Sequence, residues 1–328
     1  MIIPHYWAEA RLQHRDRKRQ VTLRRFGWSD IGEAEAQAHA DARVREALER
    51  LLAGEALPRR ERRVAYNGAD GVPIREEIVD RHGDSVITRN GYGALCLNTP
   101  DVLFADIDFA ERSRPCQIFV SMILVFAIVA AVLIAGLEIR VGASLIVAFF
   151  ASLLLGVPLP GALRRAYVAL QGGHERVAIR RVRRFLSTHP GWRVRAYRTP
   201  AGLRLLALHR LFDPREPAVQ ACFDAHGVDP VYARMCHNQH CFRARVSPKP
   251  WRMGMPRMHP PYSAAWRPEH AHLPARLAWI DDYQREAQDY ASCRYIETLG
   301  DGPVDSHADA VRELHDRLCQ AERDLALA

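Results

Sequence analysis

The stretch Val102-Leu-Phe-Ala-Asp-Ile-Asp-Phe-Ala-Glu-Arg-Ser-Arg-Pro115 decides how the rest of the chain is read. It begins as a short apolar run ending in an Asp-x-Asp pair, the pattern of a buried strand reaching its end, and turns basic just before a long uncharged segment. From Ile118 to Leu137 there is no charge, and about 20 residues at ~1.5 Å each cross a ~30 Å hydrocarbon core. After Glu138-Ile-Arg140 a second apolar run goes from Val141 to Val157, and Leu159 to Leu163 extends it past Pro158. The pair of runs predicts a transmembrane helical hairpin at 116–163. The competing reading is a buried helical hairpin in a soluble protein, but core helices rarely stay uncharged over such a length.

Arg112 and Arg114 precede the first span, Arg164 and Arg165 follow the second, and the turn carries only Arg140 balanced by Glu138. By the positive-inside rule both long flanks, and so both termini, are expected in the cytoplasm at a bacterial inner (plasma) membrane. Ser121, Ser144 and Ser152 are placed to satisfy backbone carbonyls, so the spans read as an anchor and not as a transport path. The N-terminal Met-Ile-Ile-Pro-His-Tyr-Trp has no basic region followed by an apolar core, and no cleavable signal peptide is expected. Seven scattered cysteines point to reduced thiols and not to a disulfide scaffold. With 48% hydrophobic and 26% charged residues the 328-residue chain has enough material for a core. Its net charge of +8 suits a phosphate-rich partner: nucleotide, nucleic acid or the anionic face of a lipid bilayer.

Around the hairpin the fold class reads as α+β. Residues 1–63 predict a β-hairpin, turning at His14 to Arg19, and a long helix capped by Ser29 or Asp30, with Glu33 in a capping box and Gly54 closing it. Residues 64–115 predict a β-meander whose last strand carries Asp106 and Asp108. Residues 164–250 give an arginine-rich helix from His174 to Thr188, two strands joined at Thr199-Pro-Ala-Gly202, helices near 216–226 and 230–235, and a strand Cys241 to Val246. Without the spans, the order strand, helix, strand, strand, helix, strand predicts a ferredoxin-like split βαβ palm. Residues 251–328 predict a Pro-, Met- and Trp-rich loop, a helix near 275–290, a strand 295–299 and a last helix capped by Ser306.

Asp106 and Asp108, two apart on a strand, point to one side, so both carboxylates can hold Mg2+ or Mn2+. The bland alternative is that acidic residues simply end a strand. Arg204, Arg243 and Arg245, with Arg198 nearby, are candidate phosphate forks; the equal alternative is a solvated sheet face or ion pairs with Asp106 and Asp108. Cys236-His-Asn-Gln-His-Cys241 offers zinc-type ligands at cramped spacing, and a helix end running into a strand accounts for it more simply.

Val102-Leu-Phe-Ala-Asp-Ile-Asp108 resembles the first catalytic motif of the archaeo-eukaryotic primase and primase-polymerase palm. Tyr197-Arg-Thr-Pro-Ala-Gly-Leu-Arg204 is similar to the hairpin carrying that superfamily's second motif, Thr-Pro-Ser-Gly-Gly-x-His. Leu205 stands where that motif has histidine, and His209 is the nearest histidine. The third motif, an apolar residue followed by an acid, is matched by Ile296-Glu297. The resemblance implies a palm with a metal-dependent nucleotidyltransferase-like activity, Asp106 and Asp108 as metal ligands and His209 and Glu297 as catalytic residues. Asp-Ile-Asp-Phe also looks like the metal motif of nucleotide cyclases, but Gly172-Gly-His-Glu-Arg176 is a poor copy of their signature. Two functions are therefore expected: a membrane-anchored domain handling nucleotide or nucleic acid with a divalent metal, or a non-catalytic membrane-tethered binding or scaffold protein with a degenerate palm.

Overall fold

A computed structural model describes residues 1–15, 20–61, 69, 72–109, 115–136, 139–258 and 266–328. The chain opens on strands β1 (Tyr6–Arg15) and β2 (Gln20–Ser29), paired antiparallel from Tyr6 opposite Ser29 to Arg15 opposite Gln20. Helix α1 (Glu33–Leu52) buries Ala36, Ala40, Val44, Ala47 and Leu51 at helical spacing, and its inner residues join Ala10, Val21 and Leu23 in one core. Small residues make the approach close: a Cβ on Gly27 would fall 2.2 Å from Ala36 O and Ala40 N. The α1 cap differs from expectation. Gly32 occupies the N-cap without a side-chain bond, because Ser29 Oγ is taken by Ile31 N at 2.9 Å. Gly54, at φ +96°, follows the helix end as expected.

Strands β3 (Glu77–His82), β4 (Ser85–Arg89) and β5 (Leu95–Thr99) form the meander, and β6 (Phe104–Asp108) follows. The apolar segment comprises α2 (Pro115–Ala131), which runs on through a π-helical turn (Val132–Gly136), then α3 (Val141–Ala151), a second π-helical turn (Ser152–Gly156) and α4 (Leu159–Leu170). Beyond it come α5 (His174–Thr188), β7 (Val194–Arg198), β8 (Gly202–Ala207), α6 (Pro217–His226), α7 (Pro230–Gln239) and β9 (Phe242–Arg245). The C-terminal part has α8 (Pro274–Glu286), β10 (Tyr290–Ala291), β11 (Arg294–Leu299), α9 (Ser306–Cys319) and β12 (Ala326–Leu327). Helix α9 is capped one residue earlier than expected, Asp305 accepting from His307 N and Ala308 N at 2.9 and 3.0 Å.

Two compact units result, one of residues 1–107, 185–200 and 204–328, the other of residues 108–184 and 201–203. In the second, Pro115–Gly136 and Val141–Leu170 are long and apolar enough to cross a membrane, with 11% and 22% of their most apolar windows buried. Phe119, Ile123, Leu124, Ile128, Ile146, Phe150 and Leu154 all point outward, the reverse of a soluble core helix. The helices meet where Gly156 leaves room: a Cβ there would sit 2.7 Å from Met122 Cα. Ser121 Oγ reaches Ile118 O and Gly156 O at 2.8 and 2.5 Å, and Ser152 Oγ reaches Phe149 O at 2.7 Å, so these hydroxyls serve backbone carbonyls. Arg112, Arg114 and Glu138, which carry part of the expected topology, lie outside the described residues, as do residues 16–19 of the first turn.

In the first unit the strands sort into two four-stranded sheets, β3-β4-β5-β9 and β11-β7-β8-β6, besides the β1-β2 pair and a small β10-β12 pair. Strand β6 therefore leaves the meander that precedes it and hydrogen-bonds to β8. Strand β9, the fourth strand of the expected palm order, takes the open edge of β5, with Cys96 opposite Arg245 and Asn98 opposite Arg243. Its inward side chain explains the choice. Arg243 Nη2 grips both Glu76 oxygens at 2.9 and 2.7 Å, and Nη1 reaches Asn98 Oδ1 at 2.9 Å and Thr88 Oγ1 at 3.3 Å. Thr88 Oγ1 in turn donates to Glu76 Oε2 at 2.7 Å and accepts from Asn98 at 3.0 Å. The three side chains Glu76, Asn98 and Thr88 that the guanidinium meets here all come from the meander segment.

Glu76→Ala should thus leave a buried guanidinium without its counter-ion and lower stability by about 3–5 kcal/mol, with Glu76→Gln intermediate. Urea denaturation of the detergent-solubilised protein measures this; a midpoint unmoved by Glu76→Ala would show that the pair carries no such weight.

Candidate functional site

Hydrogen bonds from Ala207 N to Leu103 O (3.0 Å) and from Phe212 N to Asp101 O (2.8 Å) run β6 and β8 in opposite directions. That register sets Arg204 across from Asp106. Arg204 Nε donates to Asp106 Oδ1 at 2.7 Å and Nη2 to Oδ2 at 3.0 Å, a two-pronged pair in which both carboxylate oxygens are engaged. The third nitrogen, Nη1, donates to Arg245 O at 2.8 Å and lies 3.2 Å from His315 Nε2. The Arg204 side chain is 3% exposed and that of Asp106 44%. Desolvation works against the Asp106 carboxylate, but the Arg204 charge and its hydrogen bonds outweigh it and hold the carboxyl below its ordinary value. A divalent cation arriving at Asp106 meets a carboxylate whose charge is already balanced by a buried guanidinium.

Of the other expected site residues, Arg245 is near enough for its charge to help lower the Asp106 pKa, and its carbonyl is the one that Arg204 holds. Asp108 is the exposed last residue of β6. His209 lies five residues beyond Arg204, on the order of 16 Å along an extended chain. Its ring packs on Trp192 and Phe212 at 4.6 and 5.3 Å between centroids, its Nδ1 accepts from Arg193 N at 3.2 Å, and burial lowers its pKa, so it is a half-buried histidine held among aromatic rings. Glu297 sits beside a register shift in β11, at the edge of the sheet farthest from β6. Arg198 ends β7 opposite Arg294. Arg243 is buried against Glu76, and Arg245 Nη1 donates to Ser247 O at 2.6 Å. Leu205, where the resembling motif has histidine, is 1% exposed and packed in the core. Cys236 and Cys241 flank the left-handed turn at His240 (φ 50°), and burial pushes both thiols up, Cys241 to about 12.

Behind Arg204 lies a group that sequence reasoning misses. Cys293, in the bend between β10 and β11, faces His315 and Cys319 on the last turns of α9. Their ligand atoms all lie within 4.8 Å of one another, and among the described residues this is the one set of three such side chains close enough to share an ion. His315 Nε2 is 3.9 Å from Cys293 Sγ and 3.5 Å from Cys319 Sγ, while Nδ1 bonds Asp316 Oδ1 at 3.0 Å. Burial opposes a Cys293 thiolate, yet the Cys319 hydrogen bond and the His315 imidazole overcome it and bring the thiol down to about 5. The available signal was His315-x-x-x-Cys319, two ligands one helical turn apart on one face; the third ligand, 22 residues upstream of the histidine, has no regular spacing to announce it. Set against known protein families, curated proteins and solved structures, the chain matches none.

The ion pair makes stability depend on pH in one direction. Because the folded Asp106 carboxyl titrates below its unfolded value near 3.9, its contribution is complete above that value and fades as pH falls through the folded one. Asp106→Asn should cost about 1–2 kcal/mol at pH 7, a figure reduced for the half-exposed carboxylate. Its deficit relative to wild type should shrink on acidification below pH ~4. Denaturation midpoints of the two proteins at several pH values test this, and a deficit that grows in acid would contradict it.

Proposed function

We propose that this protein is a two-pass, membrane-tethered binding or scaffold module, non-catalytic, with its soluble body and both termini on the cytoplasmic side of a bacterial inner membrane. The observation that carries this reading is the two-pronged Arg204–Asp106 pair. A palm that handles nucleotide uses its first-motif carboxylates to neutralise metal ions, whereas here the Asp106 charge is already paired with a buried arginine. Leu205 buried in the motif-histidine position and His209 held neutral among aromatic rings support the same view.

The palm likeness keeps its place in the proposal as ancestry of shape. Strands β7, β8 and β6 lie in that order, as the second, third and first strands of a split βαβ unit do, while β9 pairs elsewhere and β11 extends the opposite edge. The arginines Arg164 and Arg165 after the second span favour the cytoplasmic placement of the body.

Calorimetry on the detergent-solubilised protein tests the reading. With Mn2+ and nucleoside triphosphates together, wild type and the Asp106→Ala/Asp108→Ala variant should give the same background heat. Metal-dependent nucleotide binding by wild type that the double variant loses would replace this proposal with the metal-dependent nucleotidyltransferase-like one, with Asp106 and Asp108 holding Mg2+ or Mn2+.

A further inference from the structure

We infer that Cys293, His315 and Cys319 form a binding site for one thiophilic divalent ion of the zinc class, which clamps the end of α9 to the bend that begins β11. The inference stands apart from the reading of the palm, since none of the three residues belongs to it.

The spacing fits three corners of a tetrahedral site. With zinc–sulfur distances of ~2.3 Å and zinc–nitrogen distances of ~2.0–2.1 Å, a tetrahedron separates sulfur from nitrogen by about 3.6 Å. The two sulfur-to-Nε2 separations here are 3.5 and 3.9 Å, and the two sulfurs lie within the same 4.8 Å envelope. Hydrogen bonding already orients the imidazole as a ligand. Its Nδ1 is held by Asp316 Oδ1 at 3.0 Å, which turns Nε2 toward the sulfurs, and Asp316 Oδ2 is itself fixed by Arg195 Nη2 at 2.9 Å. A carboxylate behind the distal nitrogen of a ligating histidine sets the tautomer and strengthens the ligand.

Charge and burial agree. Two thiolates and one divalent ion sum to zero, so the assembled site carries no net charge into an interior where all three ligands are fully buried. Soft sulfur donors select zinc over magnesium or calcium. Loading takes the Nε2 lone pair that Arg204 Nη1 now approaches at 3.2 Å, but Nη1 retains Arg245 O at 2.8 Å, and the Cys293 and Cys319 charges act favourably on the guanidinium. Each cysteine that enters as a thiol gives its proton to solvent, so loading weakens in acid. The ion would bridge a connection that already exists in the backbone, where Ser292 N donates to Cys319 O at 3.0 Å.

The test uses the full chain, expressed with zinc in the medium and purified in detergent with a thiol reductant and without chelator. Wild type should carry about one zinc per chain by elemental mass spectrometry, and so should the Cys236→Ser/Cys241→Ser control, whereas Cys293→Ser/Cys319→Ser should carry none. Asp316→Asn should keep the ligands and lose zinc affinity about 10–100-fold. A strong chelator should lower the unfolding temperature of wild type. Cobalt replacing zinc in wild type should give sulfur-to-cobalt charge-transfer bands with tetrahedral ligand-field absorption, a readout that does not require any variant to fold. A metal-free wild type that takes up neither zinc nor cobalt, or a cobalt spectrum without sulfur bands, overturns the inference. So does a Cys293–Cys319 disulfide that, once the reductant is removed, forms no more slowly with zinc present than without it.

Discussion

A guanidinium that cannot reach water organises the first unit. Arg204 emerges from β8 into the interior and must find acceptors there, because an unpaired buried charge costs several kcal/mol. It finds them on three other elements: the Asp106 carboxylate of β6, the Arg245 carbonyl of β9 and the region of His315 on α9. Each of those elements is thereby held in one register against β8, since a slip by one residue would turn Arg204 to the other face of its strand.

Arg243 repeats the device in the neighbouring sheet. Its partners Glu76, Asn98 and Thr88 form a closed polar cluster in which the Thr88 hydroxyl donates once and accepts twice. Tyr232 then bridges the strands that carry or face these arginines, its hydroxyl donating to Phe104 O at 3.0 Å and accepting from Arg243 N at 3.3 Å. Arginines that a sequence offers as phosphate forks are here consumed in holding sheets together, and the basic character of the chain is accordingly less available at these strands than its net charge implies.

What the sequence made legible was local. The apolar spans, α5 with Val182 and Phe185 on its buried face, and the β7–β8 hairpin about Thr199-Pro-Ala-Gly202 all follow from periodicity and turn chemistry within a short window, though Ile179 takes the buried place expected of Val177 and Leu186. Strand partnership was not legible. Asp106 and Arg204 are 98 residues apart, and nothing in the local pattern of β6 tells whether it pairs with the meander before it or with β8 after the spans. The Arg204–Asp106 contact stood among the sequence-level alternatives as an ion pair, yet only the register singles it out. Cys293, His315 and Cys319 stayed hidden for the same reason: proximity in space arises from the return of α9 against the start of β11, while the cysteines closest in sequence, Cys236 and Cys241, form no such group among the described residues.

The spans interrupt a sheet, and this has a consequence for how the molecule is made. Strand β6 is synthesised before the apolar segments, while β7 and β8, its sheet companions, come only after both. Until then β6 has an unpaired edge and Asp106 has no arginine. Closing so long a loop is slow, and its entropy must be met before the strand contacts offset it. A chain held in that interval presents open strand edges, the kind of surface on which aggregation starts.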